Sequence, residues 1–217
     1  TFTNKAAREM QNRVGKILNN QEVGLPWLGT FHSICAKILR RHAKAVNLNQ
    51  NFTIIDQDDQ SRLIKSICNA ENIDIKKISP NFIISLINKW KNFGWYPENV
   101  ALKKSENLER NLLKIYKIYQ SKLTDLNACD FGDLILHCVS IFEKNQDINE
   151  MYSKNFKYIL VDEYQDTNFI QSKWLRLLSE KNKNICCVGD DDQSIYSWRG
   201  AEIKNFLEFD KIYKNTK

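Results

Sequence analysis

The stretch "YILVDEYQDTNFIQSKWLRLL" (158–178) joins an apolar run to two carboxylates and then to a helical pattern. The run does not alternate between apolar and polar residues, which predicts a strand buried on both faces of a parallel sheet. Asp162 and Glu163 follow it directly, and Asp166 or Thr167 stands where a side chain would cap the next helix. The stretch therefore predicts a strand, an acidic loop and a helix in that order.

Two other stretches repeat this plan of a strand that leads into polar residues. "WLGTF" (27–31) reads as a strand that ends at His32 and Ser33, a predicted N-cap, and "NICCVGD" (184–190) ends in an acid. Strands of this kind, joined through helices, predict an α/β fold with a parallel sheet covered on both faces. Ligands of such sheets bind at the carboxyl ends of the strands, which is where these acids fall.

The middle of the chain has a different pattern, because its apolar residues recur at helical spacing from about Asp56 to Asp125. Pro80, Gly94 and Pro97 break this region into separate helices. We therefore divide the chain into a first α/β part (1–51), an inserted α-helical subdomain (52–126) and a second α/β part (127–217).

The composition is that of an ordinary globular protein, with 42% hydrophobic and 27% charged residues among 217. The net charge of +6 is unevenly distributed: residues 1–51 carry +6, residues 52–126 carry +3 and residues 127–217 carry −3. A polyanion would therefore meet the N-terminal part, although a solvated helix face would have the same composition. No apolar run is long enough to cross a bilayer, so no membrane is expected.

The six cysteines show no C-x-x-C pair and no zinc-type spacing. We expect reduced, buried thiols in a cytoplasmic protein.

Residues 188–200, "VGDDDQSIYSWRG", combine acids, an amide and aromatics in one loop. With Asp162 for Mg²⁺ and Glu163 to orient or deprotonate water, the amide of Gln193 could reach a γ-phosphate. Tyr196 and Trp198 offer flat surfaces for unstacked bases. The same residues also occur without a function, since acids often end strands and aromatics often pack in a core. A functional and a purely structural interpretation of the loop therefore both stay open at this point.

Five motifs occur in an order that closely resembles the UvrD/Rep/PcrA group of superfamily 1 DNA helicases. They are "TFTNKAAREMQNRV" (1–14), "GTFHSICAKILRR" (29–41), "NACDFGDLI" (127–135), "VDEYQDTN" (161–168) and "VGDDDQSIYSWRGA" (188–201). The resemblance implies a RecA-like (P-loop NTPase-type) domain with a helical insertion, and ATP with Mg²⁺ as cofactor. It also implies single-stranded DNA and single-strand/duplex junctions as partners, 3′-to-5′ movement, and a role in DNA repair or replication.

The same resemblance assigns roles to individual residues. It implies that Asp162 holds magnesium, that Glu163 is the catalytic base and that Gln193 senses the γ-phosphate. The implied DNA contacts are Phe2, Thr30, His32, Tyr196 and Trp198, and Arg199 lies in the loop that couples ATP to DNA. Ser197 and Gly132 stand where the family often has Arg and Asp.

One element that the family requires is missing from this sequence, namely a G-x-x-x-x-G-K-[ST] loop for the phosphates. "GLPWLGT" (24–30) has the glycine spacing without the Lys, and Gly15-Lys16 lacks the rest of the pattern. We therefore expect a helicase fragment that is incomplete at its N-terminus and inactive alone. The missing helicase segments would be supplied in cis or in trans.

Other classes remain open on sequence grounds. The chain could belong to a helicase–nuclease of the same family, or it could be a non-catalytic DNA-binding module. The acids at 162, 163, 190 and 192 could also serve an isolated two-metal nuclease, although Gln193 and the aromatics do not fit that chemistry.

Overall fold

The computed structural model describes residues 1–18, 25–73, 78–101, 107–214 and 216 as a mostly helical α/β chain with small parallel sheets. The chain divides into two compact units. Unit 1 comprises Thr1–Ile38 with Cys138–Lys217, and unit 2 comprises Leu39–His137.

In the described residues the strands are short, and most of the secondary structure is helical. The helices are α1 (Asn4–Ile17), α2 (Phe31–His42), α3 (Gln57–Ala70), α4 (Pro80–Asn92), α5 (Asn107–Asp125), α6 (Phe131–Lys144), α7 (Gln146–Asn155), α8 (Phe169–Ser179), α9 (Lys204–Leu207) and α10 (Phe209–Ile212). The strands are β1 (Thr53–Ile54), β2 (Ala128–Cys129), β3 (Ile159–Val161) and β4 (Ile185–Cys187).

Both strand pairs in the described residues are parallel. In unit 2, β1 pairs with β2, with Thr53 opposite Ala128. In unit 1, β3 pairs with β4, with Ile159 opposite Ile185 and Val161 opposite Cys187. The predictions of strands in 158–163 and 184–190, and of their parallel pairing, are therefore confirmed.

The strand predicted in 27–31 is wrong. Leu28 N–H donates to the carbonyl of Leu25 in a turn, and Trp27 packs the edge of its ring against Tyr152 and Phe156. The apolar residues of this stretch belong to a loop whose Trp27 packs at the end of α7, and they do not form a strand. Gly24, the first residue of the stretch 24–30, lies outside the described residues.

Two helix starts also differ from prediction. α2 begins before the predicted cap at His32 and Ser33, because the Thr30 hydroxyl accepts the backbone N–H of Ser33 at 3.2 Å. α8 begins after a capping box in which Asn168 and Gln171 exchange hydrogen bonds of 3.0 Å.

The helical prediction for the middle of the chain is confirmed for the described residues of α3, α4 and α5. Pro80 opens α4, where its missing N–H costs nothing, and Gly94 follows the helix at a positive φ of 75°. The apolar faces of these helices form one core, which includes Ile64, Ile67, Ile83, Ile87, Ile115 and Tyr116.

The expectation that both faces of the strands are buried is wrong for β3 and β4. Leu160 is 80% exposed and Val188, just after β4, is 60% exposed. Their side chains line an apolar groove of about 570 Å³ in unit 1, together with Val14, Trp27 and Trp174. Within the described residues this face of the sheet is open, which the sequence pattern alone could not distinguish from a covered one.

The cysteines are all free thiols, as expected. Cys35, Cys68, Cys129 and Cys138 are buried, but Cys186 is exposed on β4, so the prediction of burial is wrong there. Among the described residues, no helix has both the length and the apolarity that a membrane crossing requires.

A fully buried charge cluster, defined here as the Lys91 triad, joins α4 to the start of α6. Lys91 Nζ lies 2.6 Å from Asp130 Oδ2 and 2.7 Å from Asp133 Oδ1, and all three side chains are at most 1% exposed. Tyr119 donates its hydroxyl to Asp130, and Gln120 donates its amide to Asp133. Each aspartate also accepts the backbone N–H of the other, so every carboxylate oxygen has a donor.

The triad balances desolvation against attraction. Burial works to raise the pKa of Asp133, but the charges of Lys91 and His137 and the hydrogen bonds to its carboxylate together hold that pKa below its usual range. Burial works to lower the pKa of Lys91, and the two carboxylates hold it above its usual range. Burial and the charge of Asp133 raise the pKa of Asp130, so Asp130 is the member of the triad whose charge is least favoured.

Gly132 allows the Lys91 stem to approach closely. A Cβ at position 132 would lie 2.9 Å from Lys91 Cδ and 3.3 Å from Lys91 Cβ. Because that stem is fully buried and its end is held by two aspartates, it has little freedom to move.

We predict that Lys91→Met lowers the free energy of unfolding by about 3–5 kcal/mol, because two buried carboxylates lose their counter-ion. The triple change Lys91→Met, Asp130→Asn and Asp133→Asn should recover part of that loss, since it also removes the charges. Urea unfolding of each variant measures both effects. Lys117→Met, on the exposed side of α5, is the control and should leave the midpoint unchanged. A Lys91→Met variant as stable as the parent would contradict the prediction.

Candidate functional site

The parallel pairing of β3 with β4 brings two polar segments to one edge of the sheet. Val188 N–H donates to the carbonyl of Val161 at 2.8 Å, and Tyr164 N–H donates to the carbonyl of Val188 at 2.9 Å. The ladder therefore extends beyond both strands. Asp162 and Glu163 leave β3 beside the point where Asp190 leaves β4.

The acid pair after β3 is held in an unusual backbone conformation. Asp162 and Glu163 are half-buried, and Glu163 has φ 55° and ψ 42°, in the left-handed region. A residue with a side chain is uncommon there, and such positions are concentrated at functional sites. The conformation turns the chain directly after the strand, and a short 3-10 helix, Tyr164–Asp166, follows.

Gln165, which was not among the residues predicted from the sequence, connects the two polar segments. Its Nε2 donates to Glu163 Oε2 at 2.7 Å, and its Oε1 accepts the backbone N–H of Asp190 at 3.1 Å. The residue is fully buried. The sequence did contain one sign of this role, because Gln165 is an amide that lies two residues after Glu163 in the motif at 161–168.

The acidic loop after β4 forms a short 3-10 helix, Asp191–Gln193, with Asp190 as its N-cap. Asp190 accepts the backbone N–H of Asp192 at 3.1 Å and the side-chain amide of Gln193 at 2.6 Å. Gln193 is exposed. Its amide is therefore at the surface and is oriented by a carboxylate of the same loop.

The two aromatics of the loop are adjacent and outward. The ring centroids of Tyr196 and Trp198 are 6.4 Å apart, at an interplanar angle of 48°. Trp198 is 73% exposed, so core packing does not account for it, whereas Tyr196 is half-buried. Arg199 ends the same turn, and its side chain lies outside the described part of the chain.

The far end of the loop returns to the motif at 161–168. The backbone N–H of Glu202 and the side-chain amide of Asn205 both donate to the carbonyl of Thr167, at 2.9 and 3.0 Å. Gln165 ties the beginning of the loop and Thr167 ties its end. Residues 190–201 are thus anchored at both ends to the motif that carries Asp162 and Glu163.

The other predicted DNA contacts lie at the starts of α1 and α2. Phe2 is half-buried and packs the edge of its ring against Phe31, at 5.7 Å between centroids. Thr30 is buried, and its hydroxyl caps α2. Burial lowers the pKa of His32, so its ring is neutral at neutral pH and offers hydrogen bonds but no charge.

Asp166, predicted from the sequence only as a helix cap, is a further acid beside this site. It is buried, and its Oδ1 has no hydrogen-bond partner among the described residues. Burial, with a smaller effect from the charge of Glu163, raises its pKa. The acids after β3 therefore differ in environment: Asp166 is shielded, whereas Asp162 and Glu163 are partly open to solvent.

The residues present fit a nucleotide-bound magnesium ion better than a metal held by protein alone. In the part of the chain that the structure describes, no three His, Cys, Asp or Glu side chains converge on one point. Mg²⁺ at nucleotide sites commonly binds one or two carboxylates together with substrate phosphates. A single carboxylate at a strand end, as Asp162 is, meets that requirement.

Comparison with known proteins identifies the family. Residues 1–214 match the family described as "UvrD/REP helicase N-terminal domain". The chain is 47% identical over 216 residues to a "Probable DNA helicase II homolog" from Rickettsia conorii, covering 98% of the chain and 33% of that relative. It is 46% identical over 213 residues to an "ATP-dependent DNA helicase PcrA" from Staphylococcus aureus, covering 98% of the chain and 29% of that relative.

The chain spans about a third of the length of these relatives. The match covers nearly every residue of the chain, including both segments of the candidate site. This chain belongs to the UvrD/REP helicase family, in the part described as the N-terminal domain.

Proposed function

We propose that the chain is the first motor domain of an ATP-dependent DNA helicase that moves 3′ to 5′ on single-stranded DNA, in repair or replication. In this proposal the α/β parts form a RecA-like domain and residues 52–126 form its inserted helical subdomain. The substrates are ATP with Mg²⁺ and single-stranded DNA or its junctions with duplex. We infer a location with the chromosome, in the cytoplasm.

The observation that carries the proposal is that carboxylates and a loop with an exposed aromatic lie together at one edge of the sheet. Asp162 and Glu163 adjoin the segment that begins at Asp190 and ends in an outward Trp198. Acids suit a metal–phosphate complex, whereas an exposed aromatic suits a base that has left its stack. A loop anchored at both ends beside the acids can transmit a change at one site to the other.

Each residue has a defined task in the proposed reaction. Asp162 would hold a magnesium ion, which when bound would neutralise charge on the phosphates. Glu163 accepts a proton from the attacking water, and Gln193 contacts the γ-phosphate through its amide. Tyr196 and Trp198 stack on bases, and Phe2 extends that surface. Thr30 and His32 contact DNA phosphates, and Arg199 belongs to the coupling loop.

The remaining parts of the motor are proposed to come from the rest of a longer protein, in cis or in trans. Two findings support this: the relatives are about three times as long, and none of the residues that the structure describes covers the apolar groove beside β3. The sequence also contains no loop of the G-x-x-x-x-G-K-[ST] type. A helicase–nuclease of the same family and a non-catalytic DNA-binding module are the alternatives that the experiments below distinguish.

We predict that residues 1–217 alone release no phosphate from ATP, because no backbone loop and Lys cradle the triphosphate. In the full-length protein, Glu163→Gln should preserve ATP binding and lower turnover by roughly 100- to 10,000-fold, since the amide keeps the shape but cannot take a proton. Phosphate release and nucleotide titration measure the two effects.

The control is Glu208→Gln, which changes an exposed carboxylate paired with Lys211 and should keep parental turnover. DNA-stimulated hydrolysis by the isolated chain, lost in Glu163→Gln, would contradict the first expectation. Full-length protein that binds DNA without hydrolysing ATP would indicate a DNA-binding module, and magnesium-dependent DNA cleavage would indicate a nuclease.

We predict opposite defects for two residues of the loop in the full-length protein. Trp198→Ala should weaken single-strand binding by about 1–3 kcal/mol and leave ATP affinity without DNA unchanged. Gln193→Ala should keep DNA binding but remove its dependence on nucleotide state. Titrations with a fluorescent oligonucleotide and with a nucleotide analogue measure both.

Trp95→Ala is the matched control, because Trp95 is a partly exposed tryptophan in unit 2 and should leave DNA affinity unchanged. If Trp198→Ala lowers the melting temperature sharply and leaves DNA affinity intact, Trp198 has a packing role and the stacking assignment is wrong.

The open groove predicts that one mutation has different costs in two contexts. Leu160→Ala should change the stability of residues 1–217 by less than about 0.5 kcal/mol, because the side chain is 80% exposed. In the full-length protein, where we propose that the groove is covered, it should cost about 2–5 kcal/mol. Leu126→Ala, exposed in unit 2, is the control. Equal costs of Leu160→Ala in both proteins would show that the groove stays open.

A further inference from the structure

Gln165 is a buried amide that uses both ends of its side chain at once. It donates to the carboxylate of Glu163 at 2.7 Å and accepts the backbone N–H of Asp190 at 3.1 Å. One side chain therefore links the turn after β3 to the loop after β4. Gln165 itself is fully buried, whereas Glu163 is half-buried and Asp190 is exposed, so the bridge lies at the border between the interior and solvent.

Glutamine suits this position because the two partners require opposite groups. The carboxylate needs a donor and the backbone N–H needs an acceptor, and one amide supplies both. Ionised Glu would offer acceptors alone, and Met would offer neither hydrogen bond. Asn is one methylene shorter and could not span the same two partners.

Gly189 gives independent support, because it leaves room for the bridge. A Cβ at position 189 would lie 2.5 Å from Gln165 Oε1 and 2.9 Å from Phe206 Cε2. Real Cβ atoms do not approach that closely, so a side chain at 189 would displace the amide. The loop after β4 is therefore shaped around Gln165, although the two residues come from different motifs.

The bridge continues to the proposed γ-phosphate sensor. Asp190, whose N–H binds Gln165, accepts the amide of Gln193 at 2.6 Å through its own carboxylate. Glu163, Gln165, Asp190 and Gln193 thus form one chain of contacts. Such a chain can carry a displacement of the Gln193 loop to the Glu163 carboxylate.

We propose that Gln165 is a positioning residue, which holds the Glu163 carboxylate in the orientation for water activation and ties it to the loop that carries Gln193. This inference rests on the proposed function for its effect on turnover. The bridge itself, which is the pair of hydrogen bonds that Gln165 makes to Glu163 and Asp190, does not depend on that function. The left-handed backbone of Glu163 adds to the need for such a support, because the carboxylate follows a turn that the residue adopts at a cost.

The test compares three variants of the full-length protein. Gln165→Met removes both hydrogen bonds, and Gln165→Glu keeps the acceptor for Asp190 but loses the donor to Glu163. Gln171→Met is the matched control, because Gln171 is also buried and loses a hydrogen bond, the one that it makes to Asn168 in the cap of α8. Hydrogen exchange of a peptide containing Asp190 reports the bridge, and DNA-stimulated ATP hydrolysis reports positioning.

The expected pattern separates positioning from general damage. Gln165→Met should increase exchange at Asp190 roughly 3- to 10-fold. It should lower kcat roughly 10- to 100-fold with little change in the KM for ATP. At a pH where the new carboxylate is ionised, Gln165→Glu should show the same loss of kcat, because it repels Glu163 and offers it no donor. Gln171→Met should change neither, although it lowers stability.

Two results would overturn the proposal. Parental exchange at Asp190 in Gln165→Met would remove the bridge, and a loss of kcat no greater than that of Gln171→Met would remove the positioning role. A full-length parent without DNA-stimulated hydrolysis would instead refute the proposed function, and with it the catalytic half of this inference. The exchange result would still decide whether Gln165 links the two loops.

Discussion

The parallel pairing of β3 with β4 is the constraint on which the candidate site depends. Parallel strands end at the same edge, so the acids after one strand must lie beside the loop after the other. The backbone hydrogen bonds between Val161 and Val188, and between Val188 and Tyr164, extend this pairing into the turns themselves. A slip of one residue would reverse the side-chain faces and separate Glu163 from the segment that Gln165 reaches.

The two units use polar groups in different ways. In unit 2 the Lys91 triad is closed, since its charges satisfy one another and have no access to solvent. In unit 1 Asp162 and Glu163 remain partly open to solvent, and of these two Glu163 accepts the buried amide of Gln165. A closed set of charges fixes local structure, whereas an open set is available to a ligand.

Local pattern was sufficient for some elements and insufficient for others. The helices around Ile64, Ile83 and Ile115 were predictable, because helical periodicity and a proline at the start of α4 agree. The apolar run at 27–31 led to a wrong prediction of a strand, because apolar side chains such as Trp27 can pack against neighbours from a loop as well as from a strand. The roles of Asp162 and Glu163 were inferred from motif resemblance, but Gln165 required coordinates, since its partner Asp190 is 25 residues away.

The face of β3 and β4 that the described residues leave uncovered also affects how this polypeptide behaves in isolation. A short parallel sheet with outward Leu160 and Val188 presents both apolar surface and backbone groups to any extended segment nearby. In a longer protein of the kind proposed above, the same surface would be exposed during synthesis until a covering segment had been made. Self-association of the isolated chain would therefore start at these strands.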